Sequence, residues 1–426
     1  MNQTSRLSEK SSLTEWLAWQ EQSHVKEIDL GLDRVAAVWQ TLKSDKSDSI
    51  YTITVAGTNG KGSCVALLES ILIASGYRVG VYSTPHLTHY NERIRVDGRS
   101  VSDSMLTRVF SKINSVRQAI SLSYFEFGTL AALDIFYEQK LDIQILEVGL
   151  GGRLDAVNIV DANAALVTSI SIDHIDWLGD DINQIALEKA GIFRTKQVAV
   201  CGDKAVPQSL IDHANKLDVN LLLAGQDFDF KVEDNGWQLI ADHSFAGNYP
   251  APPLHGAHQI QNASAVISLL AQIQNKVPVT RQDIEFGLAH VSLTGRLQQV
   301  NSAPDVFLDV AHNAESAMAL AEFLKTRQCK GRIHAVFSIF ADKQLNQVIE
   351  PFLGLVDQWH IASLNSTRSV SVEKLQDFLT NDLTQHCSQY DSIQHAFKQV
   401  RAILNKDDLV ICFGSFYVVE ACLEAL

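Results

Sequence analysis

Short apolar runs alternate with segments of helical periodicity through the first half of the chain. Runs rich in β-branched residues predict buried strands over residues 50–56, 78–83, 141–148, 164–170 and 197–201. Apolar residues spaced three and four apart predict helices over residues 63–74, 102–119, 125–139 and 182–190. Strands that alternate with helices favour a parallel α/β sheet, and such sheets bind ligands at the carboxyl ends of their strands.

The pattern changes between residues 225 and 256, where alternating strands surround the turn at residues 234–236. We interpret this part as a small β excursion at the edge of the first domain. A helix is predicted over residues 259–273, and a second α/β series follows, with strands predicted over residues 306–310, 332–337, 358–362 and 408–413. We therefore predict two α/β domains, residues 1–295 with a P-loop-type parallel sheet and residues 296–426 with a smaller Rossmann-like sheet.

Composition and charge narrow the class of protein. The chain has 426 residues, of which 46% are hydrophobic and 20% charged, enough to bury two cores. Its net charge of −14, with dispersed basic residues, argues against a nucleic-acid-binding surface. The six cysteines show neither C-x-x-C nor zinc spacing, which is typical of reduced thiols in the cytoplasm.

Membrane and export signals are not evident in the sequence. No stretch approaches the roughly 20 apolar residues of a membrane span, and residues 1–10 lack an apolar signal core. We expect a cytoplasmic protein without a membrane or nucleic-acid partner. The sequence offers little evidence for a large exposed apolar patch, so we expect a monomer.

The predicted strand 50–56 runs into the loop 57–63, GTNGKGS, which carries the groups that a polyphosphate needs. Glycine N–H groups can turn toward phosphate, Lys61 supplies a positive charge, and the Ser63 hydroxyl is suited to Mg²⁺. The spacing departs from G-x-x-x-x-G-K-[ST], because Gly62 separates Lys61 from Ser63. An ordinary glycine-rich turn is the alternative, but the complete set of groups favours ATP or a related nucleotide.

Glu147 ends a predicted buried strand, where an unpaired carboxylate would cost several kcal/mol. A metal ion would remove that cost, and a structural ion pair, for instance with Arg153, is the alternative. Gly149 and Gly151 suggest a dinucleotide-binding fingerprint, but the third glycine and the following helix are missing.

Three further positions carry candidate chemistry. His174 follows a strand and lies between Asp173 and Asp176, which would orient its imidazole as a metal ligand; a capped or core histidine is the alternative. Lys189, at the end of a predicted helix, would by itself only complement the helix dipole. Residues 309–313, DVAHN, place polar groups at a strand end in the second series and predict a second half-site.

Taken together, these motifs resemble the folylpolyglutamate synthase family over nearly the whole chain. The segments that carry the resemblance are residues 57–63, 91–94, 125–127, 147–155, 173–174, 178–179, 188–192, 295–296 and 309–313. Residues 28–35 and 123–127 are similar to the bacterial bifunctional members of that family. The wider superfamily includes the Mur ligases of cell-wall synthesis, but the segments around Asp29 and Phe125 favour a pterin substrate.

The resemblance implies ATP as co-substrate, two Mg²⁺ ions and a set of site residues. The implied Mg²⁺ ligands are Ser63, Thr84, Glu147 and His174, with Lys189 as a carbamylated ligand of the second ion. The implied ATP contacts are Thr58, Asn59, Gly60, Lys61, Gly62, Ser63, Asn262, Arg296 and Asp309. His312 and Ser415 would border the glutamate. The implied pterin pocket consists of Asp29, Leu30, Gly31, Ser123, Tyr124, Phe125, Glu126, Leu154, Asp155 and Ala156.

Two positions depart from the family pattern. The family usually has serine where this chain has Thr84, which keeps the hydroxyl. Relatives often read Asp-Lys-Asp where this chain has Asp342, Lys343 and Gln344.

The implied activity is the ATP-dependent ligation of L-glutamate to 7,8-dihydropteroate and then to reduced folates. Such a ligase forms an acyl phosphate, with Lys61, His174, Lys189, Arg296 and His312 as the implied catalytic residues, and closure of the second domain near Gly295 would exclude water. Polyglutamylation alone, or a related Mur-type ligation, is the alternative. A non-catalytic nucleotide-gated binding protein is a third hypothesis, against which Glu147, His174 and Lys189 argue.

Overall fold

The structure is a computed structural model that describes residues 7–26, 29–43, 50–254, 256–327, 329–383 and 385–426. Ile28, which belongs to the resemblance around Asp29, and residues 1–6 of the polar amino end lie outside the described residues. The chain divides into two compact units. The first comprises Met1–Ile170, Asp181–Ala251 and Ile260–Val291, and the second comprises Ser171–Asp180, Pro252–Gln259 and Ser292–Leu426.

Helices occupy much of both units. The α-helices are α1 (Leu13–Gln22), α2 (Asp33–Lys43), α3 (Lys61–Ala74), α4 (Asp103–Val116), α5 (Tyr124–Glu138), α6 (Ile175–Leu178), α7 (Ile182–Ala190), α8 (Gln208–Lys216), α9 (Ala257–Gln272), α10 (Arg281–His290), α11 (Ala314–Thr326), α12 (Leu345–Ile349), α13 (Val372–Asp377), α14 (Ile393–Ile403) and α15 (Phe416–Leu423). Single 3₁₀ turns cover Tyr90–Arg93, Ala156–Ile159 and Glu350–Phe352, and a π turn covers Phe378–Asp382.

Strands are short, mostly three to six residues. They are β1 (Tyr51–Ala56), β2 (Val79–Tyr82), β3 (Ile94–Val96), β4 (Arg99–Ser100), β5 (Ile143–Glu147), β6 (Ala164–Val167), β7 (Val198–Cys201), β8 (Asn220–Leu223), β9 (Phe228–Glu233), β10 (Gly236–Ala241), β11 (Gly247–Tyr249), β12 (Gln298–Ser302), β13 (Asp305–Leu308), β14 (Ile333–Phe337), β15 (Gln358–Ile361), β16 (Cys387–Gln389) and β17 (Leu409–Phe413).

The main sheet of the first unit has the strand order β4-β3-β2-β5-β1-β6-β7-β8. Strands β2, β5, β1, β6, β7 and β8 run parallel, and β3 and β4 add an antiparallel edge. This confirms the predicted parallel α/β sheet. The register pairs Tyr82 with Leu146, Val55 with Glu147 and Ala56 with Val167. The carboxyl ends of β2, β5, β1 and β6 therefore lie side by side.

Local sequence explains how α3 follows β1. All of α3 is rich in apolar residues, as expected for a helix that packs on a sheet and is covered by another helix. The helix ends where Gly76 adopts a φ of 86°, and the N–H groups of Gly76 and Tyr77 donate to the carbonyls of Ile73 and Leu72. This hydrogen-bond pair satisfies two carbonyls of the last turn, and only glycine adopts the left-handed conformation without strain.

The two amino-terminal helices were not predicted from the sequence. Helix α1 begins with a capping box at Ser12, and Trp16 is fully buried with its ring 6.0 Å from that of Phe110 in α4. Helix α2 buries Trp39, whose ring lies 5.5 Å from that of Tyr137 in α5. Both helices therefore cover the α4–α5 face of the first unit.

The predicted β excursion forms the antiparallel sheet β11-β10-β9. Its hairpin turns between Glu233 and Gly236, where the turn was predicted. Trp237 is buried and stacks on Tyr249 with ring centroids 5.3 Å apart. The sheet therefore has an aromatic core of its own.

The second unit is built on a mixed sheet with the order β12-β13-β17-β14-β15-β16. The four predicted strands correspond to β13, β14, β15 and β17, which pair in parallel. The edge strands β12 and β16 are not predicted from the sequence. A cluster of aromatic rings fills one face, with Phe352 and Phe337 at 4.5 and 4.9 Å from Phe413. Among the described residues, no helix is long and apolar enough to cross a membrane.

A hydrogen-bonded pair of histidines lies within this second sheet. His334 Nδ1 lies 3.0 Å from His360 Nε2, and His360 Nδ1 lies 3.0 Å from the Tyr390 hydroxyl. Both imidazoles are buried, at 5% and 2% exposure. Burial lowers the pKa of His360 to about 4, and the neighbouring His334 contributes in the same direction. The pair is therefore uncharged at neutral pH.

We predict that His360→Asn flattens the acid dependence of stability. The folded-state pKa lies below the ordinary value of 6.5, so this part of the unfolding free energy is complete above about pH 6.5 and is lost as the pH falls toward about 4. One such group gives a slope of about 1.4 kcal/mol for each pH unit. Urea unfolding between pH 7 and 4.5, followed by tryptophan fluorescence, measures it. The exposed His386→Asn is the control, and equal slopes for both variants would contradict the prediction.

Candidate active site

The loops that follow β1, β2, β5 and β6 leave the first sheet at the carboxyl ends of these parallel strands. The loops carry the glycine-rich segment 57–63, Thr84, the segment 148–155, and the pair Thr168 and Ser169, and Glu147 is the last residue of β5. Predicted site residues from three separate parts of the sequence are thus brought to neighbouring strand ends.

The glycine-rich loop is held by the residues that follow β6. Thr58 N donates to the Ser169 carbonyl at 2.7 Å, Asn59 N donates to Ser169 Oγ at 3.0 Å, and Thr168 Oγ1 donates to the Asn59 carbonyl at 2.6 Å. Lys61 Nζ donates to the carbonyls of Gly57 and Thr58 at 2.9 and 3.1 Å. The sequence did not point to Thr168 or Ser169, because only the strand order places them beside the loop.

Gly60 opens α3 in the left-handed conformation, with φ of 84°. A Cβ atom at this position would lie 2.6 Å from Asn262 Oδ1, so the loop and Asn262 are in close contact. Ser63 follows in the first turn at 2% exposure. A hydroxyl at a helix amino end fits a phosphate-bound cation.

Glu147 and Thr84 meet at the ends of β5 and the loop after β2. Glu147 is 3% exposed, and its Oε2 accepts a hydrogen bond from Thr84 N at 3.2 Å. The alternative ion pair between Glu147 and Arg153 is wrong, because the Arg153 guanidinium binds Glu188 Oε1 at 2.7 Å instead.

Lys189 lies in the last turn of α7, and its residue is only 3% exposed. The loop after β5 packs on this turn: Arg153 N donates to the Glu188 carbonyl at 2.8 Å, and a Cβ at Gly152 would lie 3.1 Å from Lys189 Cα. A lysine that only complemented the helix dipole would be solvated, whereas Lys189 is buried.

Two segments of the predicted pterin pocket, residues 123–126 and 154–156, both lie against Gly149. A Cβ at Gly149 would lie 2.9 Å from the Phe125 ring and 3.4 Å from Asp155 Oδ2. Asp155 is 3% exposed and accepts from the N–H groups of Gly149, Leu150 and Val157 at 2.9, 2.9 and 3.0 Å. Burial raises the pKa of Asp155 to about 6, and the three amides and the Lys61 charge oppose that rise.

Other members of the predicted pterin set lie around the start of α5. Ser123 caps this helix, with Ser123 N donating to Glu126 Oε2 at 2.7 Å. The Tyr124 ring lies 5.5 Å from that of Tyr90. Ala156 is buried, Leu154 is half-buried, and so are Leu30 and Gly31 in the segment before α2.

In the second unit, Asp309 follows β13 and is held by backbone amides. Its oxygens accept from Leu297 N at 2.8 Å and Ala311 N at 2.7 Å. Burial raises the pKa of Asp309, and Arg296 and the two amides oppose the rise. The Arg296 guanidinium lies 5.6 Å from the Phe416 ring centroid.

His312 and Ser415 lie on the same side of this unit. The His312 ring lies 6.2 Å from that of Phe416, the residue that follows Ser415. Ser415 caps α15 by accepting from Tyr417 N at 3.2 Å. His312 Nδ1 donates to the Val310 carbonyl at 2.7 Å, which leaves Nε2 as the acceptor nitrogen. Burial and the Lys343 charge lower the pKa of His312 to about 4, so the ring is neutral.

Asp173 is the centre of a buried polar cluster in the second unit. It accepts from Lys343 Nζ at 2.6 Å, from Asn313 Nδ2 at 3.1 Å and from His174 N at 2.8 Å. His174 Nε2 lies 4.0 Å from Asp173 Oδ2, and Asp176 is exposed. Asp173 therefore fixes the backbone at His174 and also lies within ion-pair distance of its imidazole, and the metal-ligand role of His174 stays a prediction.

We predict that Lys343→Met destabilises the second unit by roughly 3–5 kcal/mol, because it leaves the buried Asp173 charge without its ion pair. Lys343 and Asp173 side chains are 8% and 9% exposed. The double variant with Asp173→Asn should recover part of the loss, which a double-mutant cycle of urea unfolding measures. Additive effects would contradict the pairing, and the exposed Lys374→Met is the control.

Comparison with known proteins is consistent with this geometry. The Mur ligase middle domain family matches residues 55–270, and the family described as Mur ligase, glutamate ligase domain matches residues 295–416. The dihydrofolate synthase/folylpolyglutamate synthase of Escherichia coli K12 is 40% identical over 416 residues, which cover 98% of this chain and 96% of that protein.

Solved structures agree over the same length. A structure of Escherichia coli FolC in complex with DHPP and ADP has 40% identity and a TM-score of 0.91, and covers 98% of both chains. A bifunctional folylpolyglutamate synthase/dihydrofolate synthase from Yersinia pestis, complexed with AMPPNP and Mn, has 38% identity and a TM-score of 0.90 over 98% of both chains. The chain belongs to the dihydrofolate synthase/folylpolyglutamate synthase family of Mur ligases, and the resemblance inferred from its motifs is confirmed.

Proposed function

We propose that this protein is an ADP-forming ligase that joins L-glutamate to 7,8-dihydropteroate and to reduced folates. The observation that carries the proposal is that β2, β5, β1 and β6 end side by side, which brings the phosphate loop, Thr84 and Glu147 together. The loop after β5 extends from this edge to Asp155 and Phe125, so a pterin carboxylate can be bound close to a nucleotide.

We assign the ATP phosphates to the loop formed by Thr58, Asn59, Gly60, Lys61, Gly62 and Ser63, with Asn262 beside it. Arg296 and Asp309 are the proposed nucleotide contacts of the second unit. The amides of the loop, the amino end of α3 and the Lys61 charge are suited to a polyphosphate. The related structures are complexes with ADP and AMPPNP, which supports this assignment.

Ser63, Thr84, Glu147 and His174 are the residues we propose to hold Mg²⁺, with Lys189 as a carbamylated ligand of a second ion. Hydroxyl, carboxylate and imidazole groups suit a divalent cation, and when bound the ion neutralises phosphate charge. The buried Lys189 supports the carbamylated form, since a carbamate gives this position an anionic ligand in place of an ammonium.

The chemistry follows from the low reactivity of a carboxylate toward an amine. A carboxylate oxygen of the acceptor attacks the γ-phosphorus of ATP, the bond to the β-phosphate oxygen breaks, and ADP leaves. The glutamate amine then attacks the acyl carbon, loses a proton and expels phosphate. Lys61 and the loop amides stabilise charge on the transferring group, an effect of a few kcal/mol for each such contact.

His312 and Ser415 are the proposed border of the glutamate site. Because His312 is neutral with Nε2 as an acceptor, it offers a hydrogen-bond acceptor to an amino group. The family assigned to residues 295–416 is a glutamate ligase domain, which supports this placement. We propose residues 1–295 as the ATP- and pterin-binding domain and residues 296–426 as the glutamate-ligase domain, while the division into compact units places Ser171–Asp180 and Pro252–Gln259 with the second unit. A monomer remains our expectation, and we also expect a location in the cytoplasm, which the six free cysteines support.

The first experiment measures phosphate release by the purified protein with ATP, Mg²⁺ and L-glutamate, using 7,8-dihydropteroate or tetrahydrofolate as acceptor. Release with both acceptors, matched by glutamylated products, supports the bifunctional ligase. Release with tetrahydrofolate alone would reduce the function to polyglutamylation. Release with neither would contradict the proposal.

We predict that Lys61→Ala lowers kcat by about 10²-fold or more while the fold is kept, because Lys61 carries the side-chain charge of the phosphate loop. We expect the same loss of ligation, with the fold kept, for His174→Ala. Product formation is measured by chromatography and the fold by circular dichroism. The exposed Lys216→Ala is the control, and full turnover by Lys61→Ala would exclude the assignment.

A further inference from the structure

A polar network joins the segment before α2 to the amino end of α5. Asp29 Oδ2 lies 2.7 Å from Arg34 Nη1 and 3.1 Å from His24 Nε2. Arg34 Nη2 donates to the Asp29 carbonyl at 2.8 Å and to Glu126 Oε1 at 3.2 Å. A single guanidinium therefore bridges two carboxylates and one backbone carbonyl.

Two further hydrogen bonds fix the same pair of segments. His24 Nδ1 lies 3.0 Å from Ser121 Oγ, and Ser23 Oγ donates to the Leu122 carbonyl at 3.1 Å. Together with the bridge from Arg34 to Glu126, they tie Ser23, His24 and Arg34 to residues 121–126 at three points. We call Arg34 and His24, with these contacts, the Arg34 clamp.

The burial of the partners separates this clamp from an ordinary surface ion pair. The side chains of Arg34, Asp29 and Glu126 are 28%, 21% and 3% exposed. Lys26, which also lies 3.3 Å from Asp29, is 67% exposed, and exposed pairs of that kind contribute little. Arg34 is therefore the cation that contacts both the buried Glu126 and Asp29.

The clamp lies at the proposed pterin pocket but is not part of the residues assigned to it. It contacts two members of that set, Asp29 and Glu126. Its contact with Glu126 is made next to the capping box of Ser123, at the same helix end that places Phe125 against Gly149. Hydrogen bonding to His24 lowers the pKa of Asp29, as do Lys26 and Arg34, so Asp29 is ionised at neutral pH.

We infer that Arg34, supported by His24, is a positioning residue that holds residues 29–31 against the amino end of α5 and so sets the affinity for the pterin substrate. This inference rests on the proposed function. A lysine cannot replace it, because one ammonium lacks the planar fork that reaches Asp29 and Glu126 together.

The test compares Arg34→Met with the wild type in the phosphate-release assay. We expect KM for 7,8-dihydropteroate and for tetrahydrofolate to rise by about tenfold or more, the usual effect of losing a charge-assisted hydrogen bond. KM for ATP and for L-glutamate should stay within about twofold of the wild type. The control is Arg108→Met, because Arg108 forms a surface ion pair with Glu138 at 2.7 Å, outside the pterin pocket.

The conservative variant Arg34→Lys separates charge from geometry. We expect it to raise KM for both pterins to an intermediate extent, and it carries the test alone if Arg34→Met does not fold. Wild-type values for Arg34→Lys would overturn the bridging role. An unchanged pterin KM for Arg34→Met, or an equal rise in KM for ATP, L-glutamate and the pterins, would overturn the inference.

Failure of this inference is distinct from failure of the proposed function. If the wild type releases phosphate with neither pterin, the proposed ligase activity is contradicted. If the wild type is active and Arg34→Met keeps its pterin KM, only the positioning role is contradicted. Direct binding of 7,8-dihydropteroate, measured by calorimetry in the presence of ADP, gives the same distinction without turnover.

Discussion

The parallel register of β2, β5, β1 and β6 is the constraint on which the candidate site of the first unit depends. It makes four chain segments leave the sheet together, and each carries groups that are useful only beside the others. The phosphate loop shows this dependence directly, since Ser169 and Thr168 hold Thr58 and Asn59 in place. The shape of the loop is thus a property of the sheet as well as of its own glycines.

Buried carboxylates are stabilised in two different ways in this protein. Asp155 and Asp309 accept hydrogen bonds from backbone amides, and burial still raises the pKa of both carboxyl groups. Asp173 is paired with Lys343, whose charge lowers the pKa of that carboxyl, while Arg34 supplies the cation for Glu126. Hydrogen bonds from backbone amides fix only the loop that carries the acid. An ion pair also fixes the segment that carries the cation. The ion-paired acids are therefore the ones that connect distant parts of the chain.

The glycine-rich loop and Glu147 could be singled out in the sequence because their chemistry is local, whereas most other candidate site residues follow only from the family resemblance. Strand β1, the loop after it and α3 are consecutive, so residues 51–74 carry the whole signal, and Glu147 shows itself as an acid at the end of an apolar run. Arg34, Ser169 and Lys343 could not be found this way. Their partners lie 92, 110 and 170 positions away, and only the folded arrangement brings them together.

The alternative ion pair between Glu147 and Arg153 fails for the same reason. Arg153 is the nearest basic residue to Glu147 along the chain, yet the turn of the 148–155 loop points it to Glu188 in α7. Helix α2 is a different case, because Val35, Val38, Trp39 and Leu42 are buried at the i, i+3, i+4, i+7 spacing of an amphipathic helix, so its signal is present in the sequence and was missed.

Under the proposed assignment of His312 to the glutamate site, its environment suits a step that consumes an amine. Amide formation requires the uncharged amine, and a cationic imidazole nearby would repel the ammonium form that must bind first. Burial and Lys343 keep His312 neutral, and the bond from Nδ1 to the Val310 carbonyl fixes the tautomer. Nε2 is then the acceptor nitrogen, 3.8 Å from Asp173 Oδ2, and in the proposed role it would accept a hydrogen bond from the amino group of the glutamate.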